Sequence, residues 1–309
     1  MDDLIIIGAG PAGLTAALYA GRAKLKTRVL EKHSLGGQVL LTDLIENFPG
    51  IYQMNSSDWI EVLKKQLADL KEVQIQEDVS VQKIEREASF FKIHVSNQGD
   101  EAKNILETKS VVIATGAQPK RLGIKGEKEL TGHGVSYCAT CDGPFFKGKD
   151  VVLVGGGDTA LEEALYLRKF AKKVTIVHRR NALRATAILQ ERVKSDNKIQ
   201  LKLEAVPLEI LGTTRVSGIK IKNIQNNAQE LLPCDGVFIF VGFLPDTDFL
   251  KGFLKLNDAG FIVTDETMLS SCPGIFACGD SRQRPFHQIV TACAEGAIAA
   301  FSVNKFLSA

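Results

Sequence analysis

The stretch DLIIIGAGPAGLTAALYAGR, Asp3 to Arg22, decides the reading of this chain. Leu4 to Ile7 is a short, continuously apolar run, which suits a strand buried on both faces of a parallel sheet. Gly8, Gly10 and Gly13 follow in G-x-G-x-x-G order, and Leu14 to Ala23 has helical character. Strand, glycine turn and helix in that order place the pyrophosphate of a dinucleotide at a helix N-terminus. The first glycine makes the turn, the second admits the phosphate, and the third lets helix and strand touch. The next strand, TRVLEK, ends in Glu31. That is near the spacing expected for a carboxylate that binds a ribose hydroxyl.

A second unit of the same kind is DVVLVGGGDTALEEALYL. Val151 to Val154 is its strand, and Gly155, Gly157 and Ala160 give G-x-G-x-x-A. The helix that follows carries Leu161, Ala164, Leu165 and Leu167 on one side and Glu162 and Glu163 on the other. Its second strand, KVTIV, ends not in an acid but in His178, Arg179 and Arg180, with Arg184 close behind. Guanidinium groups bind a 2′-phosphate through charge-assisted hydrogen bonds, where an acid would repel it. Each such bond is worth roughly 1.5–3 kcal/mol, which is about one or two decades of preference for NADP over NAD.

The two halves echo each other further. FFKIHVSN in the first and VSGIKIKN in the second are alternating strands, and VVIATGAQP and VFIFVGFLP are apolar strands running into a glycine. This two-copy repeat predicts an α/β chain with two Rossmann-like dinucleotide-binding domains of the same plan. One works through Glu31 and the other through arginines, so they hold different dinucleotides, FAD and NADPH being the natural pair. The tail, with the strand GIFACGDS and the helical HQIVTACAEGAIAAFSV, most economically returns to the first domain. The second domain is then inserted into the first, with expected limits of 1–116 plus 245–309 and 117–244.

Composition limits the alternatives. A chain of 309 residues suggests about two domains. Its net charge of +2 makes no broad electrostatic case for nucleic acid or a membrane surface. No uninterrupted apolar run reaches the roughly 18 residues of a membrane helix, and Met-Asp-Asp before Leu4 is not the cationic start of a signal peptide. A cytoplasmic chain is expected, where structural disulfides are rare. Of six cysteines, Cys234, Cys272, Cys278 and Cys293 stand among apolar or small residues and read as inert, buried thiols. Cys138 and Cys141, in SYCATCDGPF, have the C-x-x-C spacing of a redox pair. A zinc site would need a second such pair or matching histidines, and the sequence has neither.

The motifs GAGPAG, LGGQ, IENFPG, ATGAQP, CATCDG, GGGDTALEEA, VHRRNALRA, PGIFACGD and QIVTACAEGAIAA occur in order over nearly the whole chain. They resemble the low-molecular-weight thioredoxin reductases, a family of homodimeric FAD enzymes that use NADPH. The glutathione-reductase branch differs in carrying its cysteines shortly after the first fingerprint, where this chain has the cysteine-free HSLGGQV. For the flavin, the resemblance implies the turn Gly8, Ala9, Gly10, Pro11, Ala12 and Gly13, then Glu31, and then Gly36, Gly37 and Gln38. It adds Asn47, Val79, Ala114 and Gly116 from the rest of the first half, and Asp280, His287, Gln288 and Ile289 from the tail. For NADPH it implies Gly155, Gly156, Gly157, Asp158 and Thr159, with His178, Arg179, Arg180 and Arg184. Where the family usually has Arg-Gln, this chain has His287-Gln288, replacing a fixed charge by a titratable one.

The resemblance also implies an electron route from NADPH to FAD, to the Cys138–Cys141 disulfide, and on to oxidised thioredoxin. Cys141 is then the cysteine nearer the flavin, and Cys138 attacks the thioredoxin disulfide before Cys141 resolves the mixed disulfide. Asp142 supplies a proton to the departing thiolate. Domain rotation on paired hinges near Gly116 and Gly242 would alternate the two half-reactions. Other readings are a ferredoxin-linked or differently specific reductase of the same fold, and a non-catalytic redox-sensing module. The arginines speak against ferredoxin as donor.

Overall fold

The computed structural model describes residues 1–41, 44–97 and 103–308. Stretches 42–43, 98–102 and 309 of the expected first domain lie outside them. In chain order the elements begin with β1 Asp2–Ile7, α1 Pro11–Arg22, β2 Thr27–Leu30, β3 Leu44–Ile45, β4 Met54–Asn55 and α2 Ser56–Ala68. There follow β5 Val73–Gln76, β6 Val79–Arg86, β7 Phe91–Asn97, β8 Lys103–Ile113 and β9 Ala117–Pro119. Next are β10 Val135–Ser136, α3 Ala139–Asp142, β11 Asp150–Gly155, α4 Asp158–Leu167, β12 Lys173–Val177, α5 Ala187–Ser195 and β13 Ile199–Lys202. The chain closes with β14 Ala205–Gly212, β15 Val216–Asn223, β16 Gln229–Pro233, β17 Gly236–Phe240, β18 Phe243–Pro245, β19 Ile275–Ala277 and α6 Ile289–Leu307.

The chain divides into two compact units, residues 1–118 with 244–309, and residues 119–243. In the first, β1 lies between β2 and β8, all parallel, with Ile7 beside Leu30 and Ile113. Leu4, Ile5 and Ile6 are fully buried, which explains why the opening run is apolar without alternation. The sheet runs β5-β2-β1-β8-β7-β6, and β19 joins it on β8, aligning Ile275 with Val111. The tail therefore completes the first unit, as its sequence implies. In the second unit the parallel sheet runs β10-β17-β11-β12-β13, with an antiparallel ribbon β14-β15-β16 beside it. Both units thus repeat the strand–turn–helix–strand plan, and the second is inserted into the first. At the crossings β9 pairs with β18, and both expected hinge glycines have positive φ, +72° at Gly116 and +109° at Gly242.

Two local readings change. Helix α1 starts at Pro11 rather than Leu14, because proline at the first helical position lacks only an N–H that would be unpaired there anyway. Helix α6 is long and apolar enough to cross a membrane by length and composition alone. It buries Ala292, Gly296, Ala299, Ala300 and Val303 in a core shared with Leu14, Ala16, Ala17 and Ala20 of α1. A Cβ on Gly296 would stand 2.2 Å from the Ala12 carbonyl oxygen, so the two helices meet backbone to backbone.

Candidate functional site

In the first unit Glu31, Gly36 and Ala114 gather at the glycine turn, with Val79 joined to Glu31. Gly8 has φ +103°, and a Cβ there would stand 2.3 Å from the Ala114 carbonyl oxygen. A Cβ on Gly13 would meet the Gly8 oxygen at 1.9 Å, whereas one on Gly10 would have nothing within 4 Å. The outer glycines therefore permit packing, and the middle one leaves the open approach that a pyrophosphate needs. The Glu31 carboxylate accepts the N–H of Ala9 at 2.7 Å and of His33 at 2.9 Å, fixing it beside the turn. Gly36 donates to the Ala9 carbonyl and Val79 to the Glu31 carbonyl, each at 2.9 Å. The Asn47 Nδ2 donates to Gln288 Oε1 at 3.0 Å, drawing a distant loop to the head of α6. This arrangement fits a dinucleotide laid across the turn.

The segment from Gly279 to Gln288 is held by a cluster that the sequence reading did not single out. Glu295, inside α6, accepts from Arg282 Nη1 at 2.6 Å, from the Gly279 N–H at 2.8 Å and from Arg284 Nη1 at 3.3 Å. The Arg284 side chain is 2% exposed, also approaches Asp280 Oδ1 at 3.4 Å and bonds Thr291. His287 Nδ1 lies 3.3 Å from the same Asp280 oxygen. The loop thus holds two fixed positive charges, Arg282 and Arg284, each paired with Glu295. The available signal was one glutamate in an apolar helix preceded by two arginines.

In the second unit the glycine turn repeats. A Cβ on Gly155 would meet Ala160 Cβ and the Phe240 oxygen, both at 2.6 Å, and one on Gly157 would meet nothing within 4 Å. Arg184 N–H donates to the Gly156 carbonyl at 2.7 Å, which folds the basic loop back over the turn. Thr186 N–H donates to Asp158 Oδ1 at 2.8 Å, fixing the loop's far end. Arg179, Arg180 and Arg184 are exposed, and none forms an ion pair among the described residues. His178 behaves differently. It is 6% exposed and packs its ring under Gly156, where a Cβ would stand 2.2 Å from Nδ1. Burial, and then the Arg184 charge, lower its pKa, so it supports the turn as a neutral ring.

Cys138 and Cys141 are joined as a disulfide, with Cα atoms 5.3 Å apart. Cys138 caps α3, and its Sγ accepts the Cys141 N–H at 3.2 Å and lies 3.3 Å from Thr140 Oγ1. That N–H is a ready partner for the Cys138 thiolate once the disulfide opens. Asp142 ends α3, and its own N–H donates to the Cys138 carbonyl at 3.2 Å. Before the pair, Tyr137 donates to the buried Glu127 at 2.8 Å; Glu127 also accepts from Leu122 and Gly123 N–H groups at 2.9 and 2.7 Å. Burial, then that bond, push the Tyr137 pKa up to about 12, so it remains a neutral donor. Glu163 departs from its expected solvent face, since α3 packs on that side of α4. The remaining cysteines are quiet. Burial pushes Cys234 up to about 12 and raises Cys278 and Cys293, the last only partly buried.

Two nucleotide-type turns in one chain, with a C-x-x-C disulfide ahead of the second, define a class. Residues 2–296 match the pyridine nucleotide-disulphide oxidoreductase family, and the chain belongs to it. Membership implies a flavin and a nicotinamide cofactor. Among its relatives are thioredoxin reductases. The one from Peptoclostridium acidaminophilum is 42% identical, matching 99% of this chain and 97% of that protein. The one from Listeria monocytogenes is also 42% identical, over 99% of this chain and 93% of that protein. The crystal structure of thioredoxin reductase from Streptococcus pyogenes superposes with a TM-score of 0.91 at 42% identity, covering 100% of this chain and 98% of the other.

Proposed function

We propose that the chain is an NADPH-dependent thioredoxin reductase, with FAD in the first unit and NADPH in the second. The observation that carries this reading is the Cys138–Cys141 disulfide at the start of α3, in the unit that also holds the second glycine turn. When bound, the flavin supplies the transfer of an electron pair from nicotinamide to disulfide, which is the cofactor's own chemistry.

The chain's residues do the rest. Gly8, Gly10 and Gly13 let the backbone approach the FAD pyrophosphate, and Glu31 takes the ribose. Arg179, Arg180 and Arg184 clamp the NADPH 2′-phosphate, while Gly157 opens the way to its pyrophosphate. After the disulfide opens, the Cys141 N–H stabilises the Cys138 thiolate, which attacks the thioredoxin disulfide. Cys141 then displaces reduced thioredoxin, and Asp142 delivers a proton to the leaving sulfur. Reorientation of the units about Gly116 and Gly242 belongs to the same proposal. It is supported by the left-handed backbone at both crossings, a conformation glycine adopts without strain. A homodimer in the cytoplasm is the setting that the resemblance implies.

The test is anaerobic NADPH consumption by the flavin-loaded protein with oxidised thioredoxin, beside Cys138→Ser. The expected result is rapid consumption that falls in the variant to the rate without thioredoxin, while NADPH still bleaches the flavin. Bleaching without thioredoxin reduction by the unaltered protein would reject the substrate. No bleaching by NADPH would reject the donor.

A further inference from the structure

Glu163 stands on the side of α4 that packs against the redox turn. Helix α3, which begins at Ala139 beside Cys138, packs on α4, and the Ala139 N–H draws the Glu163 pKa down. The Glu163 Oε2 is sealed from solvent and has no hydrogen-bond partner among the described residues. A sealed carboxylate oxygen with no donor is poorly compensated when ionised. The reaction described above gives this otherwise idle group a use.

We propose that Glu163 is a positioning residue for the redox pair. Set against the Ala139 N–H, its carboxylate takes up a proton as the Cys138–Cys141 disulfide opens, and so sets the acidity of the dithiol. This rests on the dithiol function proposed above. In that reaction two electrons enter from NADPH by way of the flavin, and the S–S bond breaks. One sulfur takes a proton and becomes a thiol, and the other is left as a thiolate. An ionised Glu163 would put a like charge beside the new thiolate, which disfavours both. The second proton therefore goes to the carboxylate, giving two protons for two electrons. When the dithiol reduces a partner disulfide, the S–S bond re-forms and both protons leave with the partner's two thiols.

The surroundings agree. Burial, and then the Glu162 charge, push the Glu163 pKa up to about 7, against the opposing pull of the Ala139 N–H. The elements packed on α4 carry Asp142, Asp150, Lys173, Glu191, Arg192 and Lys194. None of these six is among the groups that move Glu163. No cation among the described residues pairs with it, so its protonation follows pH and the charge on the redox pair.

The experiment reads the disulfide itself. Flavin-loaded protein is equilibrated anaerobically with reduced and oxidised dithiothreitol between about pH 6 and about pH 9, acid-quenched, and its thiols counted by maleimide mass shift. In the unaltered protein the pH dependence of the equilibrium changes slope near about pH 7. Glu163→Gln abolishes that change of slope and, at about pH 8, favours the dithiol by about tenfold, one unit of thiol acidity. Glu163→Asp keeps the change of slope at a displaced pH. A Glu163→Gln shift by the same factor at every pH, with the change of slope intact, would make Glu163 a packing residue and overturn the proposal. Infrared difference spectra of the unaltered protein provide a check that needs no variant. At about pH 8, where the carboxylate starts ionised, opening the disulfide must add a protonated-carboxyl stretch, and its absence would overturn the proposal as well. Failure of thioredoxin as substrate would remove the proposed function but leave these dithiothreitol measurements readable.

Discussion

Arg179, Arg180 and Arg184 stand exposed around one glycine turn, with no carboxylate paired to them among the described residues. Surface guanidinium groups left in this way are suited to an anion from outside the chain. Replacing any one by Gln is expected to raise KM for NADPH by about tenfold, the equivalent of one charge-assisted bond. KM for NADH should hardly move. Steady-state kinetics with both nucleotides decide it, and equal changes for the two would reject the phosphate clamp. The positions of Glu31, Arg179 and Arg180 were legible because they follow closely on β2 and β12, and Arg184 because it lies in the same loop, where a nucleotide motif is expected to carry such charges. Glu163 was not legible. The helical pattern around it, with Glu162 alongside, marks a solvent face, and only the fold shows that α3 covers it. Glu127 gave no signal either, because its partners are two loop N–H groups and Tyr137, which local sequence does not bring together.

Among the elements, α1 and α6 show what glycine spacing reveals and what it hides. The glycines of the first fingerprint announced a strand and helix in contact, as Gly13 against the Gly8 oxygen confirms. Gly296 belongs to no such motif, yet it lets α6 approach Ala12 more closely than any side chain would permit. Gly to Ala inside a helix ordinarily stabilises by about 0.5–1 kcal/mol. Gly296→Ala is expected instead to destabilise by about 1–3 kcal/mol, the range for forcing extra volume into a packed contact. Urea unfolding of the flavin-loaded protein measures the sign, and a gain in stability would show that the helices can part at no cost. The parallel strands were legible as apolar runs without alternation. The start of α1 was misread because Pro11 looks like part of the turn, although proline suits the first helical position.

For the whole molecule, the organising fact is that each unit has its own cores. The clusters built on Leu4 and Ile5 draw only on the first unit, and those built on Leu153 and Val152 only on the second. Calorimetry of the flavin-free protein is therefore expected to show two transitions. A ligand at 100 times its Kd stabilises what it binds by about 2.7 kcal/mol, so FAD should raise one transition and NADPH the other. If both ligands move the same transition, the assignment of one nucleotide to each unit is wrong. The two-copy plan was legible in the sequence because strand, glycines and helix recur in order. The same insertion has a consequence for synthesis on the ribosome. Strand β8 waits for β19 until about 160 further residues have been made, and α1 waits for α6 until about 270 have been, which at about 5–20 residues per second is roughly 10–30 s and roughly 15–55 s. Throughout that interval the nascent first unit shows an unfilled sheet position and the bare apolar flank of α1, while the second unit can already close. The growing chain therefore stays aggregation-prone until α6 has been made.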